Sequence, residues 1–330
     1  MTFRAFRIHE DRRGLESLEL AELGPGEVVV RVAFSSVNYK DALAGTGRGK
    51  ILRKFPLVGG IDLAGHVSES RDAAFREGDA VLVTGCGLSE TLDGGYSEFA
   101  RVEARSVIAL PPGLELRESM ILGTAGFTAA LALSRLLDNR QTPEMGPLVV
   151  TGATGGVGSL AVDIFTRAGF EVHAVSGKLD LHDYLRALGA KEVLGRGVLA
   201  GTRALEPVRF GGGLDTVGGT MLQSLLAQTA PYGSVVSAGL VASAELPTTV
   251  MPFIIRGVSL LGAASAGCPR SRREEIWQKL AADWKPAQLE RICTREIGLD
   301  ELPQVFEHML AGKSQGRTLV RLESESSSTQ

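Results

Sequence analysis

The heptapeptide Gly152-Ala153-Thr154-Gly155-Gly156-Val157-Gly158 has the residue types to cradle a pyrophosphate. Its glycines permit a tight turn, let backbone N–H groups approach phosphate oxygens, and allow a helix to pack closely on a strand. A helix opening there adds a favourable partial positive charge. The chemistry so served is that of a dinucleotide. Ser176, Gly177 and Lys178 come next, and Ser176 stands twenty residues after Gly156. An NAD site usually places Asp or Glu ~20 residues on, bonding the ribose 2′-hydroxyl. No carboxylate is there to repel a 2′-phosphate. Lys178 can pair with one through a charge-assisted hydrogen bond, and Arg196, just past the next strand, offers a second cation. Taken singly, each is read more plainly as a turn closing a sheet or a solvated charge. Together they favour NADPH.

A catalytic zinc needs three Cys, His or carboxylate ligands and an open position. His9, His66, His173, His182 and His308 are scattered without metal-ligand spacing. The stretch Gly60-Ile61-Asp62-Leu63-Ala64-Gly65-His66-Val67 resembles the zinc-enzyme pattern G-H-E-x-x-G-x-V, with Ile61 where the His ligand would stand. Isoleucine cannot coordinate a metal, so no metal site is expected.

These residues need a scaffold of strands and helices. From Leu148 the pattern runs strand, glycine turn, helix. Leu148–Thr151 reads as a strand and Ser159–Ala168 as a helix, followed by strand Glu171–Ser176 and helix Leu181–Leu188. Strands Glu192–Leu194, Leu214–Val217, Ser234–Ala238 and Ser259–Gly262 complete an alternation that indicates βαβ units and a parallel sheet. The first ~120 residues read instead as strands and turns, including Glu27–Ala33 and Asp79–Thr84. Helices at Arg272–Ala282 and Leu302–Leu310 precede a last strand, Thr318–Leu322. Gly211-Gly212-Gly213 reads as a plain loop, and the closing SESSSTQ as a tail with nothing to pack.

Composition narrows the function classes. At 330 residues, 44% hydrophobic and 22% charged, the chain is too apolar for disorder and long enough for two domains. Net charge is −3 with dispersed basic residues, so no nucleic-acid footprint is present. No uninterrupted apolar run approaches the ~20 residues of a membrane helix. Cys86, Cys268 and Cys293 are odd in number and far apart, which reads as free thiols. With no secretion signal at the N-terminus, a cytoplasmic location is expected. The 41 glycines are about 12% against a usual ~7%, which points to many tight turns or close backbone approaches.

Further stretches resemble the zinc-independent medium-chain dehydrogenase/reductase superfamily, in its acrylyl-CoA reductase and quinone oxidoreductase branch (YhdH/YhfP type). They are Asn38-Tyr39-Lys40-Asp41-Ala42, Gly60-Ile61-Asp62, Gly123-Thr124-Ala125-Gly126-Phe127-Thr128-Ala129 and TGATGGVGS from Thr151. Asp215-Thr216-Val217-Gly218, Leu246-Pro247-Thr248-Thr249, Pro252–Gly257 and Gly316-Arg317 continue the likeness in order. The resemblance implies an α/β fold, a Rossmann NADPH-binding domain (122–283) inserted in a discontinuous GroES-like β-rich catalytic domain (1–121 and 284–330). It implies a homodimer joined by sheet edges near Ser259–Gly262. It also implies cofactor contacts at Tyr39, Thr154, Gly155, Gly156, Val157, Ser176, Gly177, Lys178, Arg196, Leu240, Ile254, Ser265 and Arg317.

The chemistry it implies is NADPH-dependent reduction of an activated C=C, in acryloyl-CoA or a related enoyl thioester. Negative charge would develop on the carbonyl oxygen, where hydrogen-bond donors stabilise it. Tyr39 is expected to orient the nicotinamide and donate to substrate, since a phenol is protonated at neutral pH. Asn38 and Asp62 are expected beside it as catalytic residues, and Lys40 with Asp41 as an ion pair holding the loop or a catalytic pair. Two stretches depart from the branch. Cys86–Gly95 lacks the aromatics of the usual Trp-Gly-Val-Gly-Glu-x-His-Trp-Gly-Gly loop, and Gly262-Ala263-Ala264-Ser265 lacks the acid of Gly-x-Asp-Ser. Quinone reduction is the alternative within enzymes; a non-catalytic NADPH-binding structural or sensory protein is the alternative outside them.

Overall fold

The valine-rich runs Val28–Ser36 and Ala80–Thr84 are strands in the computed structural model, which describes residues 2–322. The tail SESSSTQ lies outside the described residues. Two units form, one from the residues up to Thr124 with Ala266–Trp277 and those from Leu289 onward, the other from Ala125–Ser265 with Gln278–Gln288. Ala266–Trp277, inside the range expected for nucleotide binding, thus groups with the first unit. Arg270 and Arg273 hold it there by donating to the carbonyls of Ala104, Arg105 and Ser106.

In the first unit, β1 (Thr2–Ile8) and β2 (Arg13–Glu19) form an antiparallel hairpin. β3 (Val28–Ser36) leads into helix α1 (Tyr39–Thr46), and β4 (Leu57–Val58) pairs with β1. β5 (Asp62–Ser70), β6 (Ala80–Thr84), β7 (Phe99–Val102) and β8 (Ile108–Ala109) follow. The core of β3, β5 and β6 is Val28, Val30, Val32, Leu63, Val81 and Val83, all buried. Each such side chain contributes roughly 1.5–3 kcal/mol of burial energy.

Helix α2 (Leu116–Asp138) breaks at Gly123, whose backbone has φ +50° and ψ −155°. Among the described residues it is the one helix long and apolar enough to cross a membrane, but 83% of its most apolar window is buried. It is a core helix.

The second unit carries β9 (Leu148–Val150), α3 (Gly156–Arg167), β10 (Val172–Val175), α4 (His182–Ala187) and β11 (Glu192–Leu194). β12 (Gly212–Asp215), α5 (Gly219–Gln228), β13 (Ser234–Ser237), α6 (Met251–Arg256) and β14 (Ser259–Gly262) complete its sheet layer. The strand order is β11-β10-β9-β12-β13-β14, all parallel. That is the 3-2-1-4-5-6 order of a doubly wound nucleotide-binding sheet, with its switch point between β9 and β12. Gly212 and Gly213, expected in a loop, are instead strand residues. A Cβ on Gly213 would meet the carbonyl of Val149, and one on Gly212 that of Ser234. Glycine here serves close strand packing, a signal that local turn propensity hides.

After α7 (Arg270–Ala281) and α8 (Leu289–Ile292), the chain closes the first unit with β15 (Cys293–Ile297), α9 (Leu302–Leu310) and β16 (Arg317–Arg321). The seven-stranded sheet runs β15-β16-β3-β5-β6-β8, with β7 also on β3. β16 brings Arg317 back to the start of α1.

Candidate active site

Asn38-Tyr39-Lys40-Asp41 has the spacing of a helix-capping pair, and α1 begins there. The Asn38 N–H donates to Asp41 Oδ2 at 2.8 Å, and the Ile61 N–H donates to Asp41 Oδ1 at 2.9 Å. The Asn38 amide Nδ2 donates both to Asp41 Oδ2 at 3.1 Å and to Asp62 Oδ2 at 2.7 Å. Burial, with the neighbouring charge of Asp62, raises the Asp41 carboxyl to about 7.

Asp62, fully buried on β5, accepts from Ser36 Oγ at 2.7 Å, Thr124 Oγ1 at 2.6 Å and the Thr124 N–H at 3.0 Å. Its charge partner is Arg317, with Nη2 3.9 Å away. Arg317 is 3% exposed and donates to the carbonyls of Ile121 and Val37, to Asn38 Oδ1 and to Ser36 Oγ. Asp62 and Arg317 form a buried pair whose other polar contacts are hydrogen bonds, which is what makes a buried ion pair tolerable.

Gly123 explains why α2 breaks. A Cβ there would lie 2.6 Å from both Asp62 Oδ2 and Ser36 Oγ, and 2.8 Å from Arg317 Nη2. Its positive φ, costly for other residues, aims the Thr124 N–H and hydroxyl at Asp62.

Above this cluster Tyr39, the first residue of α1, is 39% exposed. Its phenol has no hydrogen-bond partner among the described residues. The expected trio therefore divides by burial. Tyr39 can meet a ligand, whereas Asn38 and Asp62 spend their polar atoms holding α1 and α2. Arg317, expected against the cofactor, likewise has its donors consumed within the first unit. Lys40 does not pair with Asp41: its Nζ donates to Glu90 Oε2 at 2.7 Å, because Asp41 points inward to cap the helix. Sequence reasoning passed over Ser36 and the cap role of Asp41; the Asn-x-x-Asp spacing was the available signal for the latter.

In the second unit, the turn after β9 is shaped for close approach. Gly152 has φ +58°, and its Cβ would meet Thr216 Oγ1; a Cβ on Gly158 would strike the carbonyl of Gly152. Around Gly155 a Cβ would meet only one atom within reach, at 3.3 Å, so space opens on that side. Gly155 is the N-cap of α3, and Gly156, Val157 and Gly158 form its first turn, whose N–H groups lack intrahelical acceptors. Thr154 is buried beside them.

At the end of β10, Ser176 Oγ accepts the Lys178 N–H at 3.0 Å and so fixes the turn. A Cβ on Gly177 would lie 2.8 Å from Arg196 Nε, so the glycine makes room for the guanidinium. Burial, and the nearby Arg196 charge, lower the Lys178 ammonium despite the opposing effect of Asp180. Two cations gathered beside a hydroxyl suit a dianionic phosphate. These groups fit a phosphorylated dinucleotide. Leu240 and Ile254 are 64% and 69% exposed, and Ser265 is half-buried with its N–H on the Ala263 carbonyl. Ile61 is buried, and among the described residues no group of three or more His, Cys, Asp or Glu could hold a metal ion.

Comparison with known proteins adds family evidence. Residues 24–112 match the alcohol dehydrogenase GroES-like domain, and residues 156–282 match the family described as zinc-binding dehydrogenase. The acrylyl-CoA reductase AcuI of Ruegeria pomeroyi is 44% identical over 308 residues, covering 93% of both chains. The Bacillus subtilis protein named "Putative quinone oxidoreductase YhfP" is 45% identical over 310 residues, covering 93% of this chain and 94% of that one. The crystal structure of the yhdH oxidoreductase from Salmonella enterica in complex with NADP superimposes with a TM-score of 0.94 at 44% identity, covering 98% of this chain and all of the other.

Proposed function

The chain belongs to the acrylyl-CoA reductase and quinone oxidoreductase branch of the medium-chain dehydrogenase/reductase superfamily, and from that premise we propose that it reduces the activated C=C of an α,β-unsaturated thioester. The observation that carries this reading is Tyr39, exposed at the first position of α1 above a buried, fully bonded cluster. When bound, NADPH supplies the hydride. The first turn of α3 binds its pyrophosphate through backbone N–H groups. Ser176, Gly177, Lys178 and Arg196 would take the 2′-phosphate, Leu240 and Ile254 would contact the nicotinamide half, and Ser265 would be a further cofactor contact.

The Tyr39 phenol donates a hydrogen bond to the thioester carbonyl oxygen, where negative charge grows during reduction. Asn38, Asp41, Asp62 and Arg317 position that phenol by fixing the start of α1. Preorganisation matters because a misplaced donor stabilises the transition state poorly. Quinone reduction is the second reading, supported by the name of the Bacillus relative. It needs the same hydride source and a flat pocket for an aromatic ring.

Rates of NADPH oxidation with acryloyl-CoA, crotonyl-CoA and a benzoquinone separate these readings. The enoyl reading expects the thioesters to turn over faster. Faster benzoquinone turnover promotes the second reading, and no turnover with any acceptor leaves a cofactor-binding protein only. We further propose a cytoplasmic homodimer. Among the described residues β14 is an edge strand paired only with β13, and a second copy of that edge would satisfy its free backbone groups.

A further inference from the structure

The segment after α1 is the most basic short stretch of the chain: Gly47-Arg48-Gly49-Lys50-Ile51-Leu52-Arg53-Lys54-Phe55. Its four cations are exposed, and the Phe55 ring is 48% exposed beside them. A fifth cation joins from β2, since the Arg13 guanidinium lies against Gly47. Few charges neutralise this patch. Arg48 pairs with Glu307 at 2.7 Å. Glu90 is shared, taking Lys40 Nζ at 2.7 Å and Arg53 Nη2 at 3.1 Å. Arg13, Lys50 and Lys54 have no ion-pair partner among the described residues. A protein of net charge −3 thus concentrates unneutralised positive charge in one place.

That place adjoins Tyr39. Glu90 ties Arg53 to Lys40, the residue following Tyr39, and the Arg53 N–H also donates to the Glu90 carbonyl at 2.8 Å. α1 itself spans eight residues, about 12 Å, between Tyr39 and the basic loop. The ligand to be recognised is therefore polyanionic at one end and reacts near Tyr39 at the other. A quinone has no charge to use here. The 2′-phosphate and pyrophosphate of NADPH have their own groups on the second unit.

We propose that Arg13, Lys50, Arg53 and Lys54, with the face of Phe55, seat the phosphorylated adenosine end of a coenzyme A thioester. A phosphomonoester carries about −1.5 to −2 charges at neutral pH, and each diphosphate oxyanion adds more. The exposed ring supplies a surface for adenine stacking. This assignment rests on the enoyl-thioester reading and names the part of the substrate that selects for it.

The test compares acryloyl-CoA with acryloyl-pantetheine, which keeps the reacting thioester and lacks the nucleotide. Both are assayed with the NADPH-loaded protein and its Lys50→Glu/Lys54→Glu double variant, and acryloyl-CoA also with Phe55→Ala. The double variant is expected to raise KM for acryloyl-CoA about tenfold, with kcat unchanged and acryloyl-pantetheine unaffected. Phe55→Ala is expected to raise KM for acryloyl-CoA in the same direction. In the unaltered protein, added salt raises KM only for acryloyl-CoA. An unchanged KM for acryloyl-CoA, or equal losses with both thioesters, overturns the phosphate seat while leaving the enoyl reading intact. If neither thioester is reduced by the unaltered protein while a benzoquinone is, the enoyl reading itself falls.

Discussion

Thr124 donates its hydroxyl to Asp62 at 2.6 Å and its backbone N–H to the same carboxylate at 3.0 Å. A buried acid on β5 thereby caps the second half of α2, where a negative charge is favourable. Through Asn38 the same acid reaches the capping pair of α1. Two helix starts are fixed by one carboxylate, and Tyr39 stands on the first of them.

Gly123→Ala tests that junction. A Cβ meets Asp62 and Ser36 oxygens at 2.6 Å on a backbone with φ +50°. The variant should lose about 3 kcal/mol, seen as a lower urea midpoint at unchanged m. Unaltered stability would mean that the close packing is dispensable.

The Asp41 carboxyl, raised to about 7 by burial and then by Asp62, makes stability depend on pH. Its unfolded value is about 3.9, so between these values the folded chain holds more protons than the unfolded one. The contribution of Asp41 is fully present below about pH 4 and is lost as pH rises through about 7. Asp41→Asn, a neutral mimic, should show a smaller loss of urea midpoint between pH 5 and pH 8 than the unaltered protein. Parallel losses in the two proteins would assign the pH dependence to other groups.

Lys178→Ala and Arg196→Ala should each weaken NADPH binding about tenfold while leaving NADH binding nearly unchanged. Fluorescence titration with both nucleotides measures this. Equal weakening of both would place these cations away from the 2′-phosphate.

Much of this was legible in the sequence because its signals are local. The glycine turn, the alternating βαβ pattern and the absent carboxylate at Ser176 all lie within short windows, and a parallel sheet follows from the alternation, though its strand order does not. The Asp62 cluster was not legible in its geometry. Ser36, Thr124 and Arg317 come from separate parts of the chain, and only packing brings them to one carboxylate. Asp62 and Asn38 were expected beside Tyr39 as catalytic residues, on the likeness of their stretches to the family's. Both are buried and hydrogen-bonded within the cluster, which supports a positioning role for them. Gly212 and Gly213 misled for a related reason: in a central strand glycine answers to a neighbouring backbone, not to a turn.

The central claim is that Tyr39 stabilises charge on the substrate oxygen and is held for that task from beneath. Single-turnover oxidation of bound NADPH by saturating acryloyl-CoA, in the unaltered protein and in Tyr39→Phe, addresses it most directly. The account predicts a rate about 100-fold lower in the variant, with NADPH affinity and melting temperature preserved. A rate within about twofold of the unaltered protein would contradict it, since removing a donor used only in the transition state must lower that rate.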